Sequence, residues 1–227
     1  MPRGQLILIE GLDRSGKSTQ ASILASKFSQ NKLIKFPNRS TAIGKIINEY
    51  LTNTAFQLND QSTHLLFSAN RWELNREMQD LLNLGYFVVL DRYIYSGIAY
   101  TLAKNDIDDS RISSSSGGGE NTNLADIDWL LGPDKGLPKP DLTLFLTLSM
   151  EEISKRKGWG EERYELQQFQ NKVKQCFLKV LNNTEDPSIE IVDVGANSID
   201  QVSNQIWDIV VSHGANVLVD KPIAFIT

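Results

Sequence analysis

The stretch GLDRSGKST, residues 11–19, has the residue types and spacing of a polyphosphate cradle. Gly-x-x-x-x-Gly-Lys-Ser runs from Gly11 to Ser18, behind the strand-like run QLILIEG and ahead of a helical pattern, which is the context the motif requires. In such a loop, successive backbone N–H groups and the N-terminus of the following helix face the anion. Lys17 is placed to reach the β- and γ-oxygens, and the Ser18 hydroxyl to serve Mg2+. A nucleoside triphosphate is therefore the expected ligand. The kind of P-loop protein stays open at this step. A guanine-specific switch would carry Asn-Lys-x-Asp, and the segments NKLI and NKVK both lack the aspartate. A short chain with the loop at its start suggests a small kinase. The remaining question is why Asp13 and Arg14 stand inside a loop built to hold phosphate.

A second set of cations follows along the chain. FPNRS carries Arg39, LLFSANRWE carries Phe67 and Arg71 four residues apart on one helix face, and YFVVLDRY carries Asp91 and Arg92. Ligands of an open parallel sheet sit beyond the carboxyl ends of its strands. Arg39 and Arg92 each follow a predicted strand, so both are expected to face the same cleft as the P-loop. Taken singly, Phe67 reads as core and Arg39 and Arg71 as solvated surface. Together and in this order they read as a second phosphate site beside the first.

The elements that would hold these residues alternate. QLILIEG, KLIKFP, YFVVLD, TLFLTL and IEIVDV read as five strands, with helical patterns between them over about 16–28, within TAIGKIINEYL, and near 150–157, 162–182 and 198–212. In TAIGKIINEYL the spacing turns Ile43, Ile46, Ile47 and Leu51 inward. A long helix is expected from an Asp60 cap to about Leu82, ended at Gly85. The pattern predicts an α/β fold with a parallel sheet covered on both faces. Residues 105–126, with four serines followed by three glycines, read as a flexible insertion. The C-terminal NVLVDKPIAFIT is apolar enough to dock as an extended arm.

With 227 residues, a net charge of −5 and a sequence pI near 5.1, the chain suits one domain without bulk nucleic acid or an anionic membrane as partner. Phosphate binding must then come from a local cluster of cations. Cys176 is the only cysteine, which excludes an intrachain disulfide and a cysteine metal site. There is neither a signal-peptide pattern nor an apolar run long enough to span a bilayer, so an intracellular location, cytoplasmic or nuclear, is expected.

The combination EGLDRSGKSTQ, KFPNRSTAIG, LLFSANRWE, DRYIYSGIAYT, GLPKPDLTLFL and GEERYE resembles thymidylate kinases, the eukaryotic branch most, over most of residues 5–182. The resemblance implies the P-loop NTPase fold of the nucleoside monophosphate kinases, with a five-stranded parallel sheet in a single domain, residues 1–227. It implies transfer of the γ-phosphoryl group of ATP to dTMP with Mg2+, in dTTP synthesis, and a homodimer. On this basis Gly11, Arg14, Ser15, Gly16, Lys17, Ser18 and Thr19 bind ATP, with Arg156 over the adenine and Asn197 in a loop flanking it. Arg14 becomes an arginine finger, which groups the chain with those family members that carry the basic residue in the P-loop. Asp13 faces the dTMP sugar hydroxyl. Region 36–75, together with residues beyond it, holds dTMP. Phe36 lines that site, Arg39 and Arg92 clamp the phosphate, Phe67 stacks on thymine and Arg71 donates to its O4. Ser96, Gly97, Tyr100 and Tyr164 complete the site, Tyr100 beside the sugar C2′. Ser18 and Asp91 serve Mg2+. Residues 155–164 form a mobile lid. The family's spacer between Tyr100 and Trp129 is shorter, so the serine- and glycine-rich insertion is a departure; it reads first as a surface loop and second, because it follows Tyr100 and its helix, as a segment that modulates access to the dTMP pocket.

Overall fold

The computed structural model describes residues 2–112, 122–155, 164 and 167–227; side chains are described except at 106–112, 122–123, 150, 154–155 and 167. The elements run β1 (Leu6–Gly11), α1 (Lys17–Ser26), β2 (Asn31–Lys35), α2 (Ala42–Thr52), α3 (Asp60–Glu73), α4 (Asn75–Asn83), β3 (Phe87–Asp91), α5 (Ile94–Ile112), α6 (Ile127–Leu131), β4 (Leu142–Thr147), α7 (Met150–Lys155), α8 (Gln167–Val180), β5 (Ile189–Asp193) and α9 (Ile199–Ser212).

The strands form one parallel sheet in the order β2-β3-β1-β4-β5. β1 and β3 are buried along their whole length, which is why LILIEG and FVVLD are near-continuous apolar runs. β2 lies at an edge and alone among its residues Ile34 is buried. The apolar residues divide between two faces. Ile7, Ile9 and Val89 pack with α1, α5 and α8 residues on one side; Leu6, Leu8, Val88 and Leu90 pack with Met78 and Leu82 of α4 on the other. The chain crosses to β3 and β2 on one side of β1 and to β4 and β5 on the other. The carboxyl end of β1, where the phosphate loop begins, therefore sits at the reversal of strand order.

Several boundaries differ from expectation. Asn59, not Asp60, caps α3 by accepting from the Ser62 N–H at 2.7 Å. The long helix is broken at Leu74, which ends α3 and begins α4 without side-chain capping. In α2, Ile47 and Leu51 are buried, but Ile46 is 42% exposed because it lies off the inward stripe. α5 continues to Ile112, into the segment read as a flexible insertion, and a 3₁₀ turn occupies Thr122–Ala125. The rest of that insertion lies outside the described residues, as does the lid segment except for Lys155 and Tyr164. The C-terminal arm docks where the sequence was silent: Ile226 is buried and exchanges backbone hydrogen bonds with Gly136 and Leu137. Arg3 ties that arm to the N-terminus, donating to Lys221 O, Pro222 O and the carboxylate of Asp141.

Candidate active site

The P-loop closes tightly at Gly11. A Cβ there would stand 2.6 Å from Ser15 Oγ and 2.7 Å from Leu146 O, so no larger residue fits. Gly16 opens α1 in the left-handed region, φ 92°, which a glycine reaches at no steric cost. Arg14 (φ 66°) and Arg92 (φ 70°) are the non-glycine residues found in that region among the described ones. Each costs on the order of 1–2 kcal/mol in backbone strain, and such strain concentrates at functional sites. Ser15 Oγ is buried without a hydrogen-bond partner, whereas Ser18 and Thr19 are exposed on the first turn of α1.

Lys17 is buried, with Nζ donating to Leu12 O at 3.0 Å and lying 3.6 Å from Asp13 Oδ1. Burial, reinforced by the nearby Arg92, pulls its pKa down to about 8. Asp13 stands at the centre of a polar network. Its Oδ1 pairs with Arg92 Nη2, and its Oδ2 accepts from Tyr100 OH and from Gln170 Nε2, each at 2.9 Å. Burial works against its charge, but the cations of Arg92 and Lys17 outweigh that and hold its pKa at about 2. Burial likewise opposes the charge on Arg92. The surrounding Tyr100, Asp13, Glu10 and Asp91 more than compensate and hold it protonated above the usual arginine range. Arg92 Nη1 donates to Ser96 Oγ at 3.1 Å and to Gly11 O at 3.3 Å, and the guanidinium lies 5.3 Å from the Tyr100 ring centre. The P-loop and the turn after β3 are thus joined through one arginine.

A cavity of about 340 Å³ opens beside this network. Asp13, Arg14, Lys17 and Ser18 of the P-loop line it together with Phe36, Arg39, Phe67 and Arg71, and with Arg92, Ser96, Gly97, Tyr100 and Tyr164. Arg39 is exposed and donates to Asn48 Oδ1 at 3.1 Å. Phe36 is buried against Tyr93, the ring centres 5.6 Å apart. Arg71 departs most from its expected solvated state. It is 2% exposed and bound two-pronged to Asp134, Nε at 2.9 Å and Nη2 at 2.6 Å, with Ser68 Oγ on the same carboxylate at 2.7 Å. This leaves Nη1 for the cavity. Gly97 makes room for it: a Cβ there would sit 3.1 Å from both terminal nitrogens.

Asp91 is buried at the end of β3, 3.8 Å from Lys35 Nζ, with its Oδ1 lacking a hydrogen-bond partner. Asn197 stands exposed beyond β5, outside this cavity, and Arg156 lies outside the described residues. No cluster of three or more His, Cys, Asp or Glu fit to hold a metal occurs among the described residues, nor any helix long and apolar enough to cross a membrane.

Sequence reasoning missed several members. Glu10, with zero exposure, attracts the charge of Arg92 although burial raises its own pKa; an acidic residue near the end of an otherwise apolar buried strand was the signal that could have found it. Gln170 is one of several glutamines around Phe169 and carried none. Asp134 gains its role only once the chain after α6 folds back over α3. His64, whose pKa burial lowers, lines the cavity between Thr101 Oγ1 (2.9 Å) and Leu130 O (2.7 Å). Lys104 pairs with Asp60 and donates to Tyr50 OH at 3.1 Å, next to the Tyr50–Tyr164 hydroxyl contact of 2.8 Å.

Comparison with known proteins gives a single family. The thymidylate kinase family model matches residues 9–116 and 111–206. The chain is 43% identical over 213 residues to the thymidylate kinase of Schizosaccharomyces pombe, covering 92% of each, and 42% identical over 186 residues to that of Homo sapiens, covering 80% of this chain and 79% of the relative. Among solved structures, the thymidylate kinase of Candida albicans superposes with a TM-score of 0.94 at 69% identity over 100% of both chains; it is described as revealing the origin of broad substrate specificity and a novel structural element. The enzyme from Ehrlichia chaffeensis, 22% identical with a TM-score of 0.61 over 92% of this chain and 99% of the relative, shares the fold.

Proposed function

The chain belongs to the thymidylate kinase family, and from that premise we propose that it phosphorylates dTMP to dTDP with the γ-phosphate of ATP. The observation that carries this reading is the one cavity in which the P-loop residues Asp13, Arg14, Lys17 and Ser18 meet Phe67, Arg71, Arg39 and Arg92. Donor phosphates and an acceptor nucleotide can share that space.

The chemistry needs no base. The acceptor is a phosphate oxygen already ionised at neutral pH, so the obstacle is the repulsion between two anions. Lys17 and the P-loop amides hold the donor phosphates. Arg92 and Arg39 hold the acceptor phosphate, and Arg14 neutralises charge on the group in flight. Phe67 stacks on the base. Arg71, fixed by Asp134, offers Nη1 to thymine O4; cytosine presents a donor amine there, so donor would face donor. Tyr100 crowds the sugar C2′, and Asp13 accepts from the sugar hydroxyl, which answers why a carboxylate stands in a phosphate loop. Ser18 and Asp91 would serve Mg2+, and the unpartnered Oδ1 of Asp91 fits that role. The ion would supply charge neutralisation and a template for the donor phosphates. Arg156 and Asn197 are read as the adenine side, with 155–164 as the lid.

We read the chain as a homodimer as well, supported by Leu65 and Trp72, seven residues apart on α3 and 45% and 39% exposed. Sedimentation at assay concentration checks this. Broad substrate use, as described for the Candida albicans relative, is proposed here too. A steady-state panel of dTMP, dUMP, dCMP, AMP and thymidine tests the whole reading. Thymidine turning over faster than dTMP, or bound ATP and dTMP giving no dTDP, would overturn it.

A further inference from the structure

We propose that Glu10 is a positioning residue for the acceptor phosphate, acting on Arg92 through the hydroxyl of Ser96; the proposal rests on the reading of Arg92 as a phosphate clamp. Arg92 leaves β3 with φ 70°, a conformation a non-glycine residue holds only when its surroundings impose it. Glu10 imposes it from the neighbouring strand. Its Oε1 accepts from the backbone N–H of Tyr93 at 2.9 Å and of Ser96 at 3.0 Å, the residues flanking the start of α5. A carboxylate of β1 thus caps a helix that follows β3. The other oxygen, Oε2, accepts from Ser96 Oγ at 2.6 Å. Since the hydroxyl has one proton and gives it to Glu10, its lone pairs face Arg92 Nη1, which donates to it at 3.1 Å. Glu10 thereby orients both the backbone behind Arg92 and the acceptor that fixes the guanidinium. It reaches no ligand itself, being wholly buried and absent from the cavity wall.

Glu10→Gln isolates this arrangement. The amide oxygen can still accept from both backbone N–H groups, but the amide NH2 takes the place of Oε2 and donates to Ser96 Oγ. The hydroxyl then accepts where it had donated, its proton loses the carboxylate that fixed it, and no lone pair is any longer held toward Arg92 Nη1. KM for dTMP should rise about tenfold, KM for ATP should stay within about twofold, and the melting temperature should fall by only a few degrees. In a Ser96→Ala background, the added effect of Glu10→Gln should vanish. A dTMP KM within about twofold of wild type overturns the proposal. So does a parallel rise in both KM values, or an undiminished effect in the Ser96→Ala background. If Glu10→Gln does not fold, Ser96→Ala alone must raise KM for dTMP and not for ATP, and an unchanged value overturns the relay. Arg92→Ala run beside them separates the two layers. If it leaves KM for dTMP unchanged, the clamp reading fails first. If it raises KM while Glu10→Gln does not, the clamp stands and the role of Glu10 falls.

Discussion

Asp134→Asn should destabilise the enzyme strongly and loosen its choice of base together. The carboxylate has zero exposure and accepts from Arg71 Nε, Arg71 Nη2 and Ser68 Oγ at 2.9, 2.6 and 2.7 Å. An asparagine of the same volume keeps one acceptor oxygen and turns an NH2 toward a donor. It also leaves the Arg71 guanidinium, 2% exposed, without its counter-charge. Removing one partner of a buried ion pair costs about 3–5 kcal/mol. The unpaired Nη1 borders the cavity, where water relieves part of that cost, so about 3 kcal/mol is expected. For a chain of this size each kcal/mol moves Tm by about 2–4 °C, which gives a fall of about 6–12 °C by circular dichroism. The dTMP/dCMP ratio of kcat/KM should fall as well. Asp134→Leu with Arg71→Met separates the two effects. An apolar pair of similar volume should recover most of the stability, while discrimination stays lost. A single Asp134→Asn variant within about 2 °C of wild type would show that the pair is not the buried clamp inferred here. Full discrimination in the Met/Leu double variant would show that Arg71 does not read the base.

Four further outcomes follow from the same geometry. Arg14→Ala should lower kcat by roughly 10³-fold with little change in dTMP binding, and a loss under about tenfold in stopped-flow or steady-state assays would remove the finger role. Gly97→Ala sets a methyl 3.1 Å from the terminal nitrogens of Arg71, so KM for dTMP should rise while KM for ATP holds; equal changes would contradict it. Asp13 has a folded pKa of about 2, below its ordinary value, so its contribution is present above about pH 4 and is lost as pH falls through 2. That contribution is about 2 kcal/mol in the empty enzyme, and Asp13→Asn should flatten the stability curve over this acid window in denaturant titrations. Lys17, at about 8 in the empty enzyme, should gain a proton when ATP phosphates arrive, so ATP affinity should decline as pH rises above 8 and calorimetry near that pH should show buffer-dependent proton uptake that Lys17→Met abolishes.

What was legible in the sequence was what depends on local pattern. The strands showed themselves because both faces of a parallel sheet are covered, so LILIEG and FVVLD are unbroken apolar runs. The P-loop showed itself because its geometry demands glycine at fixed offsets. The break at Leu74 was hidden because the residues on either side keep helical spacing and no proline or glycine marks it. Taken alone, Arg71 reads as surface, and only its place in the ordered set of motifs points to the cleft; its burial is decided by its partner, and Asp134 lies 63 residues away in a turn without any motif. Gln170 was invisible for the same reason, whereas Glu10 was marked only as an acid in a buried apolar strand; the partners of both are side chains that the fold, not the sequence, sets beside them.

The cleft is not a free cluster of positive charge. Arg92 is paired with Asp13, Lys17 lies 3.6 Å from the same carboxylate, and Lys35 approaches Asp91. Fixed acids let a chain of net charge −5 keep several cations close together in a buried space, where their mutual repulsion would otherwise spread them or shift their protonation. They also lower the affinity for phosphate, since each incoming oxyanion must compete with a resident carboxylate for the same guanidinium. That competition bears more heavily on the ground state than on the transition state if the acids keep their other donors. Asp13 can give up Arg92 Nη2 to the acceptor phosphate while still held by Tyr100 and Gln170. An arginine so shared is already oriented when substrate arrives, and its reorganisation is paid in the fold rather than during the reaction. Replacing Asp13 by alanine should therefore not simply strengthen phosphate binding. It frees the Arg92 guanidinium to leave its set orientation, and kcat should fall even where the affinity for inorganic phosphate rises.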